Sequence, residues 1–228
     1  MSNDAVDPRW PRLLSLAVHE FRTPITVVAG YIRLVLKERA GPISDQQRKL
    51  LEEAEKSCGR LSALVAEMSD LSALEAGSAA VNRAPLDVAA LLRDVIAAMP
   101  ELPDRAVSVV LEGADGPVTV AADHKRLSVA LAALLTALRR ELVTSDRLIV
   151  RLAGSGGDSM AVIAIGDPEQ VTGLAAADPA SLETFDEWRG GSGLGLAIAR
   201  RVIGQHGGSL RSPAGGGKAA ALVALPRA

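Results

Sequence analysis

Aromatic residues are scarce in this chain of 228 residues, which contains two tryptophans, two phenylalanines and one tyrosine. A protein that stacks nucleic-acid bases needs aromatic platforms, so this composition argues against that class. Charge of either sign is also nearly balanced, with 25 lysines and arginines against 27 aspartates and glutamates. The formal net charge of -2 provides no basic surface for nucleic acid or for an anionic membrane. We therefore expect no nucleic-acid partner.

Cysteine occurs once, at Cys58, which excludes an internal disulfide and a cysteine metal cluster. Long hydrophobic runs are missing too: the run around 129–138 is too short to span a bilayer, and no secretory leader opens the chain. These absences predict a cytoplasmic protein without membrane insertion. Residues 1–11 are expected to form a disordered tail.

Hydrophobic spacing predicts a first long helix, from Pro11 or Leu13 to about Arg39. Its apolar residues recur at alternating intervals of four and three, which is typical of a helix packed in a bundle. This apolar seam consists of Leu14, Val18, Phe21, Ile25, Val28, Ile32 and Val35.

A second helix is predicted after the break at 40–43, with Ser44 and Gln47 in the pattern of a capping box. The same apolar spacing continues through this helix to a stop signal at Gly77. Two such helices form an antiparallel hairpin, and a hairpin alone cannot bury both apolar faces. The sequence therefore predicts that residues 12–77 form a homodimer with a four-helix bundle.

Residues 78–85 are small and polar, and they predict a linker to a second domain at 86–228. Strands and helices are mixed in this domain, which favours an α+β sandwich with helices on one face of a mixed sheet. The expected strands lie near 107–111, 117–121, 148–152, 160–165, 210 and 219–225, and the expected helices at 87–99, 124–142 and 194–204.

The run His19-Glu20-Phe21-Arg22-Thr23-Pro24 lies inside the first predicted helix. His19 is off the apolar seam and shares a face with Arg22 and Thr23, so its imidazole should face solvent or a partner. Pro24 should kink or loosen this turn because proline removes an amide donor and clashes with the carbonyl of Glu20. A plain solvent-facing histidine on an ordinary helix is the alternative interpretation.

This run resembles the phosphoacceptor box of bacterial sensor histidine kinases. The resemblance implies that His19 accepts a phosphoryl group, that Glu20 polarises its ring and that Thr23 helps to position water for dephosphorylation. The residue types suit this chemistry, because a neutral histidine is nucleophilic near pH 7 and a carboxylate can accept its ring proton.

The glycine-rich run 190–198 points to a nucleotide site, because glycine lets the backbone approach phosphate oxygens and the next helix offers free N–H groups. With Arg200, Arg201 and His206-Gly207-Gly208 it resembles the second glycine box of the histidine kinase and related ATPase families. The resemblance implies ATP as phosphoryl donor, bound by Gly191, Gly193, Leu194, Gly195 and Leu196. His206 is interpreted as structural.

Two other parts of the expected ATP site depart from the family pattern. Ala137 occupies the position where the family carries the asparagine that holds magnesium. Ala133 occupies the position of the polar residue that usually neighbours this asparagine. Alanine offers no oxygen, so Mg²⁺ would be held by water and phosphate alone, or its charge replaced. We hypothesise that Arg140 partly replaces the metal, because an arginine fork binds phosphate directly.

Asp167 follows an apolar strand, as the adenine-binding aspartate of the family does, but the glycines expected beyond it are absent. A solvent-exposed turn residue before Pro168 is the alternative for this aspartate. Residues 174–189 are expected to be a short lid over the nucleotide.

Three functions remain open at this point. The first is a histidine kinase core that phosphorylates His19 from ATP and transfers the group to a receiver-domain aspartate of a response regulator. The second is a phosphotransfer or phosphatase protein that no longer uses ATP productively. The third is a non-catalytic dimeric scaffold or regulator. If the chain is the whole natural protein, we expect its input to come from a separate sensor or kinase protein.

Overall fold

The computed structural model describes residues 9–78, 80–102, 105–153, 159–188, 193–214 and 219–228. The chain divides into two compact units, residues 1–79 and 80–228. No helix in the described ranges is long and apolar enough to cross a membrane.

The first unit is a helical hairpin. Helix α1 spans Trp10–Leu36 and continues through Pro24 without interruption. It ends three residues before the predicted end, because the chain turns at Glu38, whose φ is 55°, and again at Gly41, whose φ is 114°. The predicted break at 40–43 is confirmed.

Helix α2 spans Asp45–Glu75, and both ends carry the predicted signals. The side chain of Ser44 accepts the amide of Gln47, and the side chain of Gln47 accepts the amide of Ser44, which confirms the capping box. At the other end Gly77 has φ of 63°, and the amide of Ser78 donates to the carbonyl of Ala73 at 3.1 Å. This is the Schellman arrangement that a glycine after a helix allows.

The hairpin buries only part of its apolar surface. Leu14, Val18 and Ala29 of α1 are buried, as are Cys58 and Val65 of α2. Many other large apolar side chains of the hairpin stay exposed, and three of them, Phe21, Val28 and Leu61, were expected on the apolar seams of the two helices. The exposed residues are Trp10, Leu13, Leu16, Phe21, Val27, Val28, Tyr31, Leu34, Leu50, Leu61 and Leu64. A single hairpin therefore leaves an apolar surface without cover, as expected for two helices alone.

The second unit mixes strands and helices. Its strands are β1 (Ala84–Asp87), β2 (Ser108–Glu112), β3 (Thr119–Ala122), β4 (Arg147–Ala153), β5 (Met160–Gly166), β6 (Glu183–Thr184), β7 (Ser209–Ser212) and β8 (Ala221–Pro226). Its helices are α3 (Val88–Ala97), α4 (His124–Glu141), α5 (Gln170–Ala175) and α6 (Gly195–Gln205). All nine elements predicted for this unit occur within two residues of their expected bounds.

The main sheet has six strands in the order β2-β4-β5-β8-β7-β6, and β1 pairs with β3 in a separate ribbon. Strands β2 and β4 are parallel and the other neighbours are antiparallel, so the sheet is mixed as expected. Leucines of α3 and α4 form a large core with Phe185, Leu196 and one face of the sheet. A smaller cluster joins Val171 and Leu174 of α5 to Ile149, Ala164 and Leu222.

Four short elements were not predicted: β1, β6, α5 and a 3-10 helix at Pro179–Ser181. Strand β1 takes Ala84 and Pro85 from the segment expected to be linker. Helix α5 lies on sheet residues of β4, β5 and β8, in a stretch that the sequence assigned to a loop and lid.

Candidate functional site

His19, Glu20 and Thr23 lie on consecutive turns of α1, and the side chains of all three are exposed. The predicted solvent-facing position of His19 is confirmed. One turn further on, the hydroxyl of Thr26 donates to the carbonyl of Arg22 at 2.8 Å. An exposed imidazole beside a carboxylate and a threonine hydroxyl can exchange a group with a partner molecule, because nothing in the hairpin covers it.

Pro24 does not break the helix that carries these residues. Because proline has no amide hydrogen, the helix still lacks the bond that residue 24 would otherwise donate to the carbonyl of Glu20. The backbone next to His19 is therefore held by fewer hydrogen bonds than the rest of α1.

A small cavity of about 170 Å³ opens between α1 and α2 near the histidine. It is lined by Arg22, Ile25, Thr26, Ser62, Val65 and Ala66. The cavity adjoins the face of α1 that carries the predicted acceptor box.

In the glycine-rich run, Gly193 has φ of 58°, a conformation that favours glycine. Helix α6 begins two residues later at Gly195, and no side chain caps its N-terminus at Leu194. The first N–H groups of an α-helix have no acceptor within the helix, so a helix N-terminus can donate to a ligand. The side chain of Leu196 is fully buried in the core, so only its backbone can face a ligand. Gly191 lies outside the described residues.

Ala137 and Ala133 lie one turn apart on α4. Ala137 is only 2% exposed and belongs to the leucine-rich core. A Cβ added at Gly195 would lie 3.3 Å from the Cβ of Ala133, so α4 and α6 approach closely where both residues are small. Among the described residues there is no group of three or more His, Cys, Asp or Glu that could hold a metal ion.

Arg139 and Arg140 differ in their surroundings. The Arg139 side chain is buried and donates to the carbonyl of Val107 at 2.9 Å and to that of Pro100 at 2.8 Å, so it serves the fold. The Arg140 side chain is exposed, and its backbone carbonyl accepts a hydrogen bond from Arg105. Of the two arginines, Arg140 is the one that can reach a ligand in solution.

Asp167 is buried rather than solvent-exposed, which excludes the simple surface-turn alternative. Its Oδ1 accepts the amides of Glu169 at 3.0 Å and Gln170 at 2.8 Å, and its Oδ2 accepts the hydroxyl of Thr144 at 3.0 Å. The carboxylate thus holds the chain that enters α5. A carboxylate has about four acceptor positions, so Oδ2 retains capacity for one more donor.

His206 is structural, as predicted. Its Nε2 accepts the backbone amide of Asp123 at 2.9 Å, and its Nδ1 lies 2.7 Å from the carbonyl of Val202, which places the ring hydrogen on Nδ1. Asp123 in turn caps α4 through the amide of Arg126 and accepts the amide of Asn82. These contacts join the C-terminal end of α6 to the N-terminal end of α4.

The ion pairs of Glu187, a buried residue close before the glycine-rich run, were not predicted from the sequence. The side chain of Glu187 is 3% exposed, and its Oε2 lies 2.6 Å from Nη1 of Arg200. Its Oε1 pairs with Nη1 of the neighbouring Arg201. The partners are 13 and 14 residues apart in the chain, so no local pattern reveals the cluster.

Comparisons with known proteins agree with the resemblance to histidine kinases that the sequence indicates. The family model of the His Kinase A (phospho-acceptor) domain matches residues 11–77. The circadian input-output histidine kinase CikA of Synechococcus elongatus is 26% identical over 211 residues, which cover 87% of this chain and 27% of CikA. The signal transduction histidine-protein kinase BarA of Escherichia coli K12 is 28% identical over 206 residues, which cover 84% of this chain and 22% of BarA.

Solved structures show the same fold. Full-length ShkA, crystallised in complex with AMPPNP, has a TM-score of 0.71 at 24% identity over 96% of this chain and 46% of the ShkA chain. The histidine kinase AdeS of Acinetobacter baumannii has a TM-score of 0.57 at 22% identity, covering 91% of this chain and 97% of the AdeS chain.

The family match over residues 11–77 and these relatives confirm the expected resemblance to sensor histidine kinases. This chain spans about a quarter of the length of the curated relatives named above.

Proposed function

We propose that this chain is the core of a two-component histidine kinase, which takes the γ-phosphoryl group of ATP onto His19 and passes it to a response-regulator aspartate. The observation that supports this most strongly is the exposed His19 inside the matched phospho-acceptor segment. In this proposal residues 12–77 are the dimerisation and phosphoacceptor hairpin, 78–85 the linker and 86–228 the nucleotide-binding domain.

In the first step a ring nitrogen of His19 attacks the γ-phosphorus of ATP. The bond from that phosphorus to the bridging oxygen breaks, and ADP leaves with the electron pair. The carboxylate of Glu20 takes the ring proton, which keeps the imidazole nucleophilic during attack. In the second step a receiver aspartate attacks the phosphorus, the phosphorus–nitrogen bond breaks and the ring recovers a proton. Thr23 helps to place the water that later hydrolyses the receiver phosphate.

The second unit would bind ATP at the start of α6. The amides of Gly195 and Leu196 at the N-terminus of α6, with Gly193, Leu194 and Gly191 of the same run, are assigned to the phosphates. Asp167 is assigned to the adenine amino group through the acceptor capacity that its Oδ2 retains. Arg140 is assigned to phosphate charge.

A protein-held Mg²⁺ does not fit at position 137, because Ala137 has no oxygen and its methyl group packs in the core. The proposed reaction therefore takes no step through a metal ligand of this chain. If Arg140 replaces part of the metal charge, Arg140→Ala should weaken ATP binding about tenfold. Unchanged ATP affinity in that variant would refute the assignment; Arg93→Ala, on the exposed side of α3, is the control.

A second candidate function is supported by the second unit itself. Ala137 lies in the core, and Asp167 already accepts three hydrogen bonds from its own chain. Both facts favour a phosphotransfer or phosphatase protein that keeps His19, Glu20 and Thr23 but does not use ATP productively. Such a protein would exchange the phosphoryl group between His19 and receiver domains.

One experiment separates these functions. The purified protein is incubated with γ-labelled ATP and Mg²⁺, and in a second arm with a phosphorylated receiver domain. His19→Ala is the test variant, and His124→Ala, which removes another exposed histidine, is the matched control.

Acid-labile label from ATP that disappears only in His19→Ala is the expected result and establishes the kinase. Label that arrives only from the receiver domain would establish the phosphotransfer protein. A folded dimer that takes no label in either arm would favour the third function, a non-catalytic dimeric scaffold or regulator.

A further inference from the structure

Asp167, which follows the last residue of β5, is a buried carboxylate whose hydrogen bonds come from two different parts of the chain. The amides of Glu169 and Gln170 donate to Oδ1, and the hydroxyl of Thr144 donates to Oδ2 at 3.0 Å. The two amides belong to the turn that Asp167 itself begins, so an aspartate can make these bonds locally. Thr144 lies 23 residues earlier in the chain, so its bond depends on the fold.

The connection between α4 and β4 holds the backbone of Thr144 in place from both sides. Leu142, two residues before it, is 1% exposed and packs in the main core. Two residues after it, the carbonyl of Asp146 accepts the amide of Ser108 at 2.8 Å. The side chain of Thr144 is itself exposed, so it adds little to the packing of the unit. The distinct contribution of this side chain is therefore its hydrogen bond to Asp167.

The three donors leave one acceptor position on the carboxylate of Asp167, on the oxygen that Thr144 contacts. A carboxylate has about four such positions, which are shared equally between its two oxygens. The backbone takes both positions of Oδ1, and the threonine hydroxyl takes one of those on Oδ2. Because donors hold both oxygens, the carboxylate cannot turn without losing a hydrogen bond. The direction of the remaining acceptor is thus fixed by the protein.

We infer that Thr144 is a positioning residue for the purine base, which holds Asp167 so that a single acceptor faces a base carrying an amino group. This inference rests on the proposed assignment of Asp167 to the adenine amino group. An amino group on the purine donates to that acceptor, whereas an oxygen at the same ring position would oppose it with a lone pair. A fixed hydrogen-bonding group discriminates strongly against a ligand that cannot pair with it.

Loss of the Thr144 hydroxyl would leave the carboxylate of Asp167 held at Oδ1 alone. Water would then occupy Oδ2 and compete with the amino group of the base. The carboxylate could also turn away from an opposing oxygen. Adenine would therefore lose affinity, whereas a purine with an oxygen in place of the amino group would lose none. A residue that only supports the fold would affect both bases alike, so the discrimination between them distinguishes the two roles.

The test compares the binding of ATP with that of inosine triphosphate, in which an oxygen replaces the amino group of the purine. Both nucleotides carry the same ribose and phosphates, so the ratio of their dissociation constants, measured by calorimetry, depends on the base alone. The test variant is Thr144→Val, which removes the hydroxyl and keeps the shape of the side chain. Thr144→Ser keeps the hydroxyl. The matched control is Ser145→Ala, which removes the next hydroxyl of the same connection, an acceptor for the amide of Arg147 at 3.1 Å.

The preference for ATP over inosine triphosphate should fall about tenfold in Thr144→Val and stay at the parent value in Thr144→Ser and Ser145→Ala. Thr144→Ala, which also removes the hydroxyl, replaces the test variant if Thr144→Val does not fold. An unchanged preference, or an equal weakening of both nucleotides, would overturn the positioning role of Thr144 and leave the proposed nucleotide site in place. A parent chain that binds neither nucleotide would overturn the proposed site itself and this inference with it.

Discussion

A single residue, Asp123, joins three segments of the second unit through its carboxylate and its backbone amide. Its Oδ1 accepts the amide of Arg126 at 3.0 Å, its Oδ2 accepts the amide of Asn82 at 3.1 Å, and its own amide donates to His206. The backbone N–H of Arg126, followed by that of Asn82, holds the pKa of Asp123 below its usual value. The ionised form is thus favoured in the folded state.

A lowered folded-state pKa means that Asp123 contributes stability above the usual aspartate pKa and loses it as pH falls through the folded value. We predict that Asp123→Asn flattens the decline in the free energy of unfolding of the second unit below about pH 4. Denaturant unfolding at a series of pH values measures this. The side chain of Asp146 is 85% exposed, so Asp146→Asn should leave the change of the free energy of unfolding with pH as it is in the parent. The same pH dependence in Asp123→Asn and in the parent would contradict the prediction.

Thr23 is the residue assigned to dephosphorylation. We predict that Thr23→Ala still accepts phosphate on His19 but slows hydrolysis of the receiver phosphate by about 100-fold, because the attacking water is misplaced. Release of inorganic phosphate from a phosphorylated receiver measures the rate. Thr26→Ala, which removes an exposed hydroxyl bonded only to the backbone of Arg22, is the control, and equal rates in both variants would remove Thr23 from the reaction.

Residues with local motifs could be assigned from the sequence, and residues joined across the chain could not. The positions of His19 and of the Ser44 capping box follow from neighbours within one turn. The Glu187 cluster and the Thr144–Asp167 hydrogen bond join residues 13 to 23 positions apart, so their pairing depends on the fold.

Helix α4 shows how an element constrains the proposed nucleotide site. Ala137 lies in its core-facing stripe, so an amide at that position would be buried among leucines. We predict that Ala137→Asn lowers the free energy of unfolding by about 1–3 kcal/mol and yields no Mg²⁺-dependent gain in ATP binding. Val129→Asn, at an exposed position of the same helix, controls for helix propensity. A stable Ala137→Asn variant with tighter Mg²⁺-dependent binding would show that position 137 faces nucleotide.

The elements that were predicted have a local apolar pattern, whereas the elements that were missed are too short for a pattern or depend on a distant strand. Helices α1, α2, α4 and α6 and strands β4, β5 and β8 carry enough periodic apolar residues to be recognised locally. Helix α5 has six residues and strand β6 has two, which is too short to show a period. Strand β1 exists because it pairs with β3, about thirty-five residues away, and a local pattern does not contain that information.

At the scale of the whole molecule, the hairpin exposes many large apolar side chains to solvent. Val28 and Tyr31 are 49% and 66% exposed although both are apolar or aromatic. Such a surface is typical of an interface between proteins. The proposed homodimer accounts for it, because a second hairpin would complete a four-helix bundle.

We predict that the parent chain is a dimer in solution and that Val28→Glu shifts it to monomer, because a charge would be buried at the interface. Light scattering after size exclusion measures the mass. Val143→Glu, at a 77% exposed position of the second unit, should remain dimeric. A monomeric parent chain, or a dimeric Val28→Glu variant, would argue against the four-helix bundle.

The central position of β8 affects how the second unit can be made. Strand β8 lies between β5 and β7, yet the ribosome synthesises it after every other strand of the sheet. Until residues 221–226 emerge, β5 and β7 each lack a neighbour, and the exposed strand edges can pair with other chains. The sheet of this unit therefore cannot be completed before its last strand is made, whereas the two helices of the hairpin are adjacent in sequence and can pair before the second unit is translated.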